Sequence, residues 1–322
     1  VMTTPAMGAV RAAFPRSELV VLASPLVSEL FSPHPYCDRV VIYDKKGIHR
    51  GAKGLWRLAS TLRHEGFDLA LLFQNALEAA VIAFLSGIPR RAGYRTDGRG
   101  FLLTHGIPVG RRERALHHTD YYLNFLRKLN IPGGDGLLRL FSTEEELERA
   151  RTWMEDGLWM AINPGAAYGS AKRWLPERFA AVGDGLAREY GARILLTGGP
   201  AEQELGRDIE AAMQSKPLNL IGKTSVREMM ALLSRCACLV TNDSGPMHVA
   251  AAYSVPIVAL FGPTDSTTTS PLCSRFQLVR KPVECAPCLK RQCPSDHRCM
   301  EAIQVKDVLD AARHLLKRQQ DS

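Results

Sequence analysis

The fold is decided by residues 238–265, which read CLVTNDSGPMHVAAAYSVPIVALFGPTD. The apolar runs 238–241 and 255–261 predict two strands, and the small residues 247–253 between them predict a helix. The Asp-Ser pair before this helix supplies favoured N-cap residues, so the free N–H groups and the positive end of the helix dipole face the strand end. Such a helix start is suited to binding phosphate or diphosphate. The alternative is a purely structural turn, because a strand–helix–strand unit that binds no ligand also needs polar turn residues.

Short β-type runs alternate with amphipathic helices along the rest of the chain. Strands are predicted at residues 19–23, 39–43, 68–73, 159–163, 192–197 and 218–221. Helices are predicted at residues 2–13, 53–64, 76–85, 117–129, 176–190, 202–213, 225–235 and 305–317. This alternation predicts parallel sheets covered by helices, in two doubly wound α/β domains, residues 1–150 and 151–322. Ligands of such sheets bind beyond the carboxyl ends of the strands, so we expect the active site in the cleft between the domains.

The ends of these two domains carry further expectations. The boundary is expected near residues 141–156, and the last helix could pack back on the first domain. The chain opens on helix-like sequence, residues 2–13, without a preceding strand. Because the first strand of a doubly wound sheet is commonly central, we expect that this strand is missing from the sequence.

Composition limits the classes of partner. The chain has 322 residues, 46% of them hydrophobic, and a formal net charge of +8. No apolar run has the length of a membrane span and the start does not resemble a signal peptide, so a soluble protein is expected. The positive charge favours an anionic partner, but no nucleic-acid-binding motif is present. A phosphorylated small molecule or an anionic membrane surface fits the composition.

Two more glycine-containing turns follow predicted strands. In the segment AINPGAAYGSAKRW (residues 161–174), glycines allow close approach of a ligand, and Lys172 places a cation suited to a diphosphate oxygen. The LLTGGP turn (residues 195–200) is followed by Glu202. Its carboxylate either binds ribose hydroxyls or interacts favourably with the positive end of the next helix dipole. Three such turns in one domain predict a nucleotide site. Neither a Walker nor a GxGxxG loop is present, which disfavours a dehydrogenase.

The stretches NPGAAYGSAKRW, LLTGGP and TNDSGPMHVAAA, with ALFGPT, resemble the lipopolysaccharide heptosyltransferases of glycosyltransferase family 9, and among them the type II enzymes. The resemblance covers nearly the whole chain. It implies a GT-B fold, with two Rossmann-like domains facing a cleft, and an inverting glycosyl transfer. The implied donor is ADP-L-glycero-D-manno-heptose (ADP-heptose), and the implied acceptor is the first heptose of the Kdo–lipid A inner core.

The resemblance also implies a set of donor-binding residues in the second domain. They are Lys172, Glu202, Thr224, Asp243, Ser244, Gly245 and His248. Lys172 and the helix start at Ser244 and Gly245 would bind the donor phosphates. Asp243 would bind the heptose hydroxyls, and Thr224 would contact the adenine edge. A lysine and a helix N-terminus can stabilise the charge of the departing diphosphate, so no metal cofactor is required for transfer. His248 either joins the ligand or makes a structural hydrogen bond.

The acceptor side and the catalytic base are less well marked. The four arginines of the irregular stretch 89–110 could bind phosphate or carboxylate groups of Kdo and lipid A, or form a solvated basic loop; they are Arg90, Arg91, Arg95 and Arg99. The resemblance places the family's catalytic aspartate before Val1, so the base is not assigned. We therefore expect the sequence as it stands to bind donor but to transfer heptose poorly.

Four of the eight cysteines, Cys285, Cys288, Cys293 and Cys299, fall in one short segment. The first two form a CxxC pair, which is a typical half of a metal site, but the second pair is spaced irregularly. The segment is a candidate for structural zinc or an iron–sulfur centre. Free thiols or a disulfide are the alternatives, and a cytoplasmic location disfavours the disulfide.

The resulting hypothesis is a cytoplasmic heptosyltransferase of lipopolysaccharide biosynthesis, peripheral at the inner leaflet of the cytoplasmic membrane and without a nucleic-acid partner. One alternative is a related GT-B transferase that uses another nucleotide-sugar or acceptor. Another is a nucleotide-binding protein without catalytic activity.

Overall fold

The computed structural model describes residues 1–317 and divides the chain into two compact units. The first unit comprises Met2–Gly136 and the second begins at Leu137. Every strand pair in the described residues is parallel, and helices alternate with the strands. The expected α/β class is confirmed.

The elements are numbered in chain order. The strands are β1 (Val20–Ala23), β2 (Arg39–Ile42), β3 (Leu69–Leu72), β4 (Arg90–Tyr94), β5 (His105–Ile107), β6 (Trp159–Asn163), β7 (Arg193–Leu196), β8 (Leu218–Asn219), β9 (Cys238–Asn242), β10 (Ile257–Leu260) and β11 (Phe276–Val279). The helices are α1 (Thr4–Ala13), α2 (Pro25–Ser28), α3 (Gly51–His64), α4 (Leu77–Leu85), α5 (Arg111–Arg114), α6 (His118–Lys128), α7 (Glu144–Trp153), α8 (Pro176–Tyr190), α9 (Gln203–Ala212), α10 (Val226–Ser234), α11 (Gly245–Ala252), α12 (Ser266–Thr269), α13 (Arg298–Glu301) and α14 (Val305–Lys317).

The first unit holds two separate parallel sheets, β1–β2 and β3–β4–β5. Its main core joins α1, α6 and β4, with Val10, Phe125 and Tyr94 among the buried members. The stretch 89–110, expected to be irregular, contains β4 and β5. Because β4 reads RRAGY and β5 reads HGI, arginine and glycine conceal the apolar pattern that marks a strand.

The second unit is built on a six-stranded parallel sheet in the order β11-β10-β9-β6-β7-β8. Strands β6, β9 and β10 are buried along their whole length, as expected for central strands covered on both faces. Helices α8 and α14 contribute Phe179, Leu186 and Val308 to the core cluster on this sheet. Parallel pairing brings the carboxyl ends of β6, β9 and β10 to the same edge.

The two units divide at residues 136 and 137, whereas residues 1–150 and 151–322 were expected. Helix α7 lies in the predicted boundary segment and packs on α10 in the second unit. Its Glu146 carboxylate accepts from Arg227 Nε at 2.7 Å and from Nη2 at 2.6 Å, a largely buried two-point ion pair. The sequence of α7, EEELERARTW, is so rich in charge that it resembles a linker.

The last helix packs on the sheet of the second unit. Val308, Ala312 and Leu315 of α14 are buried in the core cluster that also contains residues of β9 and β10. Helix α14 thus belongs to the core of its own unit, and the expectation that the last helix packs back on the first domain stays a prediction. Among residues 1–317, no helix combines the length and the apolar character needed to cross a bilayer.

Candidate functional site

Polar loops follow β6, β9 and β10 at the shared carboxyl edge of the second sheet. The loop after β6 carries Lys172, the turn after β9 carries Asp243, and the turn after β10 carries Thr264. These strands are neighbours, with Asn163 of β6 paired to Thr241 of β9, so the three loops converge. The predicted use of this edge as a ligand site is consistent with where ligands bind in open α/β sheets.

Lys172 and Asp243 form an ion pair at this edge. Lys172 Nζ lies 2.6 Å from Asp243 Oδ2, and the two side chains are only 12% and 5% exposed. The Thr264 hydroxyl donates to the same carboxylate oxygen at 2.7 Å. Lys172 and Asp243 were expected to meet different parts of the ligand, whereas the structure brings them together. A buried charge pair of this kind needs a further hydrogen bond to offset the loss of hydration, and Thr264 supplies it.

Two asparagines tie the loop after β6 to the turn after β9. Asn242 accepts from the Trp174 backbone N–H at 3.2 Å and donates to the Pro164 carbonyl at 2.7 Å. Asn163 accepts from the Ser244 hydroxyl at 3.1 Å. The positions of Lys172 and Asp243 therefore depend on buried amides that the sequence analysis missed. The available signal is an asparagine at the end of an otherwise apolar, fully buried strand.

Helix α11 begins at Gly245, beside the ion pair. Ser244 precedes the helix, but its side chain bonds to Asn163 instead of capping the helix N–H groups. Apart from its chain neighbours and the backbone of its own helix, no heavy atom lies within 4 Å of where a Cβ atom of Gly245 would be, so the space at the helix start is open. His248, one turn further, is buried. An open helix N-terminus next to a lysine is suited to an anion.

Glu202 and Thr224 lie at the neighbouring strand ends. Glu202 follows β7 and its carboxylate accepts from the Gly199 N–H at 2.9 Å, which is a local turn contact. The β6 loop passes this carboxylate closely, since a Cβ atom at Gly165 would meet it and the Glu202 side chain would have to move. Thr224 is half-buried in the turn between β8 and α10. Their contacts with ribose and adenine stay predictions.

The candidate acceptor arginines belong to the first unit and differ in availability. The Arg91 guanidinium donates from Nε to the Leu102 carbonyl at 2.7 Å and lies over the Phe84 ring, at 5.4 Å from its centroid. Arg91 thus holds β4 to its surroundings. Arg99 is fully buried, so it does not form part of a solvated loop. Arg90 and Arg95 are exposed. A role of these arginines in acceptor binding stays a prediction, and it is better suited to Arg90 and Arg95.

The four clustered cysteines line one small cavity together with His297. Cys285 is exposed on its rim and Cys299 is buried. Burial, and then the neighbouring Cys285, Cys293 and Cys288, raise the pKa of the Cys299 thiol. Nowhere in residues 1–317 do three or more His, Cys, Asp or Glu side chains lie as a group that could hold a metal ion. The four thiols share this cavity, and their ligation of structural zinc or an iron–sulfur centre stays a prediction.

The second unit thus has the features of a nucleotide-binding α/β domain, with an open helix N-terminus, a lysine and a carboxylate at the carboxyl edge of a parallel sheet. Residues 55–298 match the family glycosyltransferase family 9 (heptosyltransferase), and the chain belongs to this family.

Named relatives and solved structures agree with this assignment. The chain is 30% identical to lipopolysaccharide heptosyltransferase 2 of Escherichia coli K12 over 70% of this chain and 68% of the relative. It is 29% identical to lipooligosaccharide heptosyltransferase 2 of Campylobacter jejuni over 98% of this chain and 94% of the relative. The structure of a family 9 glycosyltransferase from Veillonella parvula has a TM-score of 0.88 and 26% identity, with 98% of this chain and 93% of the other covered.

The E. coli structure described as ADP-heptose lipopolysaccharide heptosyltransferase II has a TM-score of 0.83 and 25% identity, with 99% of this chain and 95% of that one covered. The expected GT-B fold is confirmed by these likenesses. The protein is a glycosyltransferase of the heptosyltransferase class.

Proposed function

We propose that the chain transfers L-glycero-D-manno-heptose from ADP-heptose to the inner-core heptose of lipopolysaccharide. Relatives named heptosyltransferase 2 and the likeness to the E. coli ADP-heptose enzyme support this donor and this acceptor. The observation that carries the proposal is the Lys172–Asp243 pair, 2.6 Å apart, beside the open N-terminus of α11. The pair offers a cation for the diphosphate and a carboxylate for sugar hydroxyls.

The proposed reaction uses this charge arrangement at the leaving group. The acceptor hydroxyl attacks the anomeric carbon from the face opposite the diphosphate and gives its proton to a general base. The bond from that carbon to the diphosphate oxygen breaks, and ADP leaves with the bonding electrons. Lys172 Nζ and the α11 N–H groups stabilise the negative charge that grows on the departing diphosphate. Because these groups supply positive charge, we expect transfer to proceed in the presence of EDTA.

We propose that the first unit binds the acceptor. Arg90 and Arg95 are exposed cations that can reach phosphate or carboxylate groups of a Kdo–lipid A core. The net charge of +8 favours association with an anionic surface, which supports a peripheral location at the inner leaflet of the cytoplasmic membrane. The donor, with its sugar and its nucleotide, is assigned to the second unit.

The donor is tested by thermal shift with ADP-heptose against UDP- and GDP-sugars. Stabilisation by ADP-heptose above the other nucleotide-sugars is expected, and a preference for another nucleotide would favour a related transferase. Transfer is measured by mass spectrometry with Kdo–lipid A that does or does not carry its first heptose. Addition of one heptose only to the heptosylated acceptor is expected, at a low rate because no general base is assigned in the sequence. Donor binding without transfer to either acceptor, even after an N-terminal strand with an aspartate is added, would favour the nucleotide-binding alternative.

A further inference from the structure

Tyr168 lies between two cationic side chains at the edge of the donor site. Its ring centroid is 4.8 Å from Lys172 Nζ and 5.2 Å from Arg291 Cζ. The Tyr168 hydroxyl donates to the Leu289 carbonyl at 2.8 Å, which fixes the ring. Because both cations contact one ring, Lys172 Nζ and Arg291 Cζ are at most about 10 Å apart.

The backbone that carries Arg291 is held against the loop that carries Lys172. Ala171 N–H donates to the Arg291 carbonyl at 3.0 Å, and His297 Nε2 lies 2.8 Å from the Ala171 carbonyl. A Cβ atom at Gly169 would overlap the Arg291 carbonyl, so the two segments touch where only glycine fits. The Arg291 backbone is therefore held beside the Lys172 loop, and its side chain contacts the Tyr168 ring at this place.

The two cations differ in how their charge is balanced. Lys172 is paired with Asp243. Arg291 forms no ion pair within the described part of the chain, residues 1–317, whereas Arg298 on the same segment is paired with Asp296 at 2.9 Å. In the part of the chain that the structure describes, Arg291 is therefore the member of the two whose charge is not balanced by a carboxylate, and the contact with the ring compensates only part of it. An anion that contacts Arg291 and Lys172 would balance that charge.

We propose that Arg291 is a second cation of the donor site, which binds the diphosphate of the nucleotide-sugar together with Lys172. This inference rests on the proposed function, because it assigns a residue to the same donor site. A planar guanidinium matches two phosphate oxygens at once, and Arg291 is exposed and free of a competing carboxylate in residues 1–317. The cysteine-containing segment thereby contributes to binding through its arginine.

The experiment is isothermal titration of the full chain with ADP, AMP and adenosine. The variants are Arg291→Met, Arg291→Lys and, as a matched control on the same segment, Arg298→Met. Arg291→Met is expected to weaken ADP binding about tenfold, with a smaller effect on AMP and none on adenosine. Arg291→Lys, which keeps the charge, is expected to retain part of the affinity, and Arg298→Met to bind ADP as the wild type does. Circular dichroism and the unfolding midpoint verify that each variant is folded.

The outcomes separate this inference from the proposed function. Wild-type binding of ADP above adenosine, with an unchanged ADP affinity in Arg291→Met, would overturn the role of Arg291 and leave the donor site intact. An equal loss of ADP affinity in Arg291→Met and Arg298→Met would also overturn it, because the change in net charge would then explain the effect. Wild-type protein that binds ADP no better than adenosine would contradict the proposed function itself.

Discussion

Asp243 and Lys172 bring opposite charges to a nearly buried position at the end of β9. Breaking such a pair from one side leaves an uncompensated charge in a poorly hydrated place. The carboxylate also receives the Thr264 hydroxyl, so its position is fixed from two directions. Before donor binds, Asp243 therefore orients Lys172, and a bound diphosphate would compete with the carboxylate for the ammonium group.

Removal of one member of this pair should cost more stability than removal of both. Lys172→Met is expected to lower the free energy of unfolding by about 3 kcal/mol, because Asp243 is left buried without its cation. Adding Asp243→Asn should restore a large part of that loss. Urea unfolding at neutral pH measures each variant, with Arg298→Met, on an exposed pair, as the control expected to leave the free energy of unfolding nearly unchanged. A double variant as unstable as the sum of the two single variants would contradict the coupling.

Sequence analysis placed Lys172 and Asp243 on loops at strand ends, as the structure has them. It did not find their ion pair, since the residues are separated by 71 positions and no local pattern encodes that contact. Thr264, Asn163 and Asn242 were missed for the same reason. Their roles arise from the convergence of neighbouring strands, which the order of the sheet determines and a linear pattern does not.

At the scale of elements, α7 and α10 are joined by the Glu146–Arg227 pair. Burial alone would raise the pKa of Glu146, but hydrogen bonds from Arg227 and the Thr143 backbone hold this pKa below its usual range. A carboxyl group whose pKa is lowered on folding stabilises the protein above its unfolded pKa. That contribution is lost as the pH falls through the folded pKa.

Glu146→Gln should therefore destabilise the chain most at neutral pH. The free energy of unfolding is expected to fall by about 3 kcal/mol at pH 7, because the Arg227 guanidinium stays buried without a carboxylate to pair with. The difference from the wild type should shrink as the pH is lowered below about 4, where the free glutamate carboxyl is protonated. Urea unfolding across this pH range measures the effect. A difference that does not change with pH would show that the ionised carboxylate is not what stabilises the contact.

The cysteine-containing segment has thiols of different reactivity. Hydrogen bonds from Ser295, first from its backbone, lower the pKa of Cys293, whereas burial raises that of Cys299. Because the thiolate is the reactive form, iodoacetamide should modify Cys293 faster than Cys299 at neutral pH. Peptide mass spectrometry over time gives both rates. Cys238, whose pKa burial raises to about 12, is the control that should react only after unfolding. Equal rates at Cys293 and Cys299 would contradict this ranking.

The elements themselves were predicted well where the apolar pattern is strong. Strand β6 and helices α8 and α14 begin and end at the predicted residues. Helix α7 was not predicted because its charged sequence carries little periodicity, although Thr143 and Glu146 form a capping box that marks a helix start. Strand β11, three of whose four residues are only partly buried, was also missed.

At the scale of the whole molecule, the proposed donor-binding residues all belong to one unit. Lys172, Asp243 and Arg291 lie after residue 137, on a sheet with its own buried core. The candidate acceptor residues Arg90 and Arg95 belong to the other unit. Donor binding and acceptor binding are thus assigned to units with separate cores, as expected of a GT-B enzyme in which each domain is a folding unit.

This division predicts that the second unit binds nucleotide without the first. A chain that starts at Leu137 is expected to fold, because the six-stranded sheet and its covering helices form one core. Its affinity for ADP should be within about threefold of that of the full chain, since the charged groups assigned to the diphosphate are all retained. It should not transfer heptose, because the proposed acceptor-binding unit is absent. Isothermal titration and a cooperative urea transition measure binding and folding, and a folded second unit that has lost its affinity for ADP would place part of the donor site in the first unit.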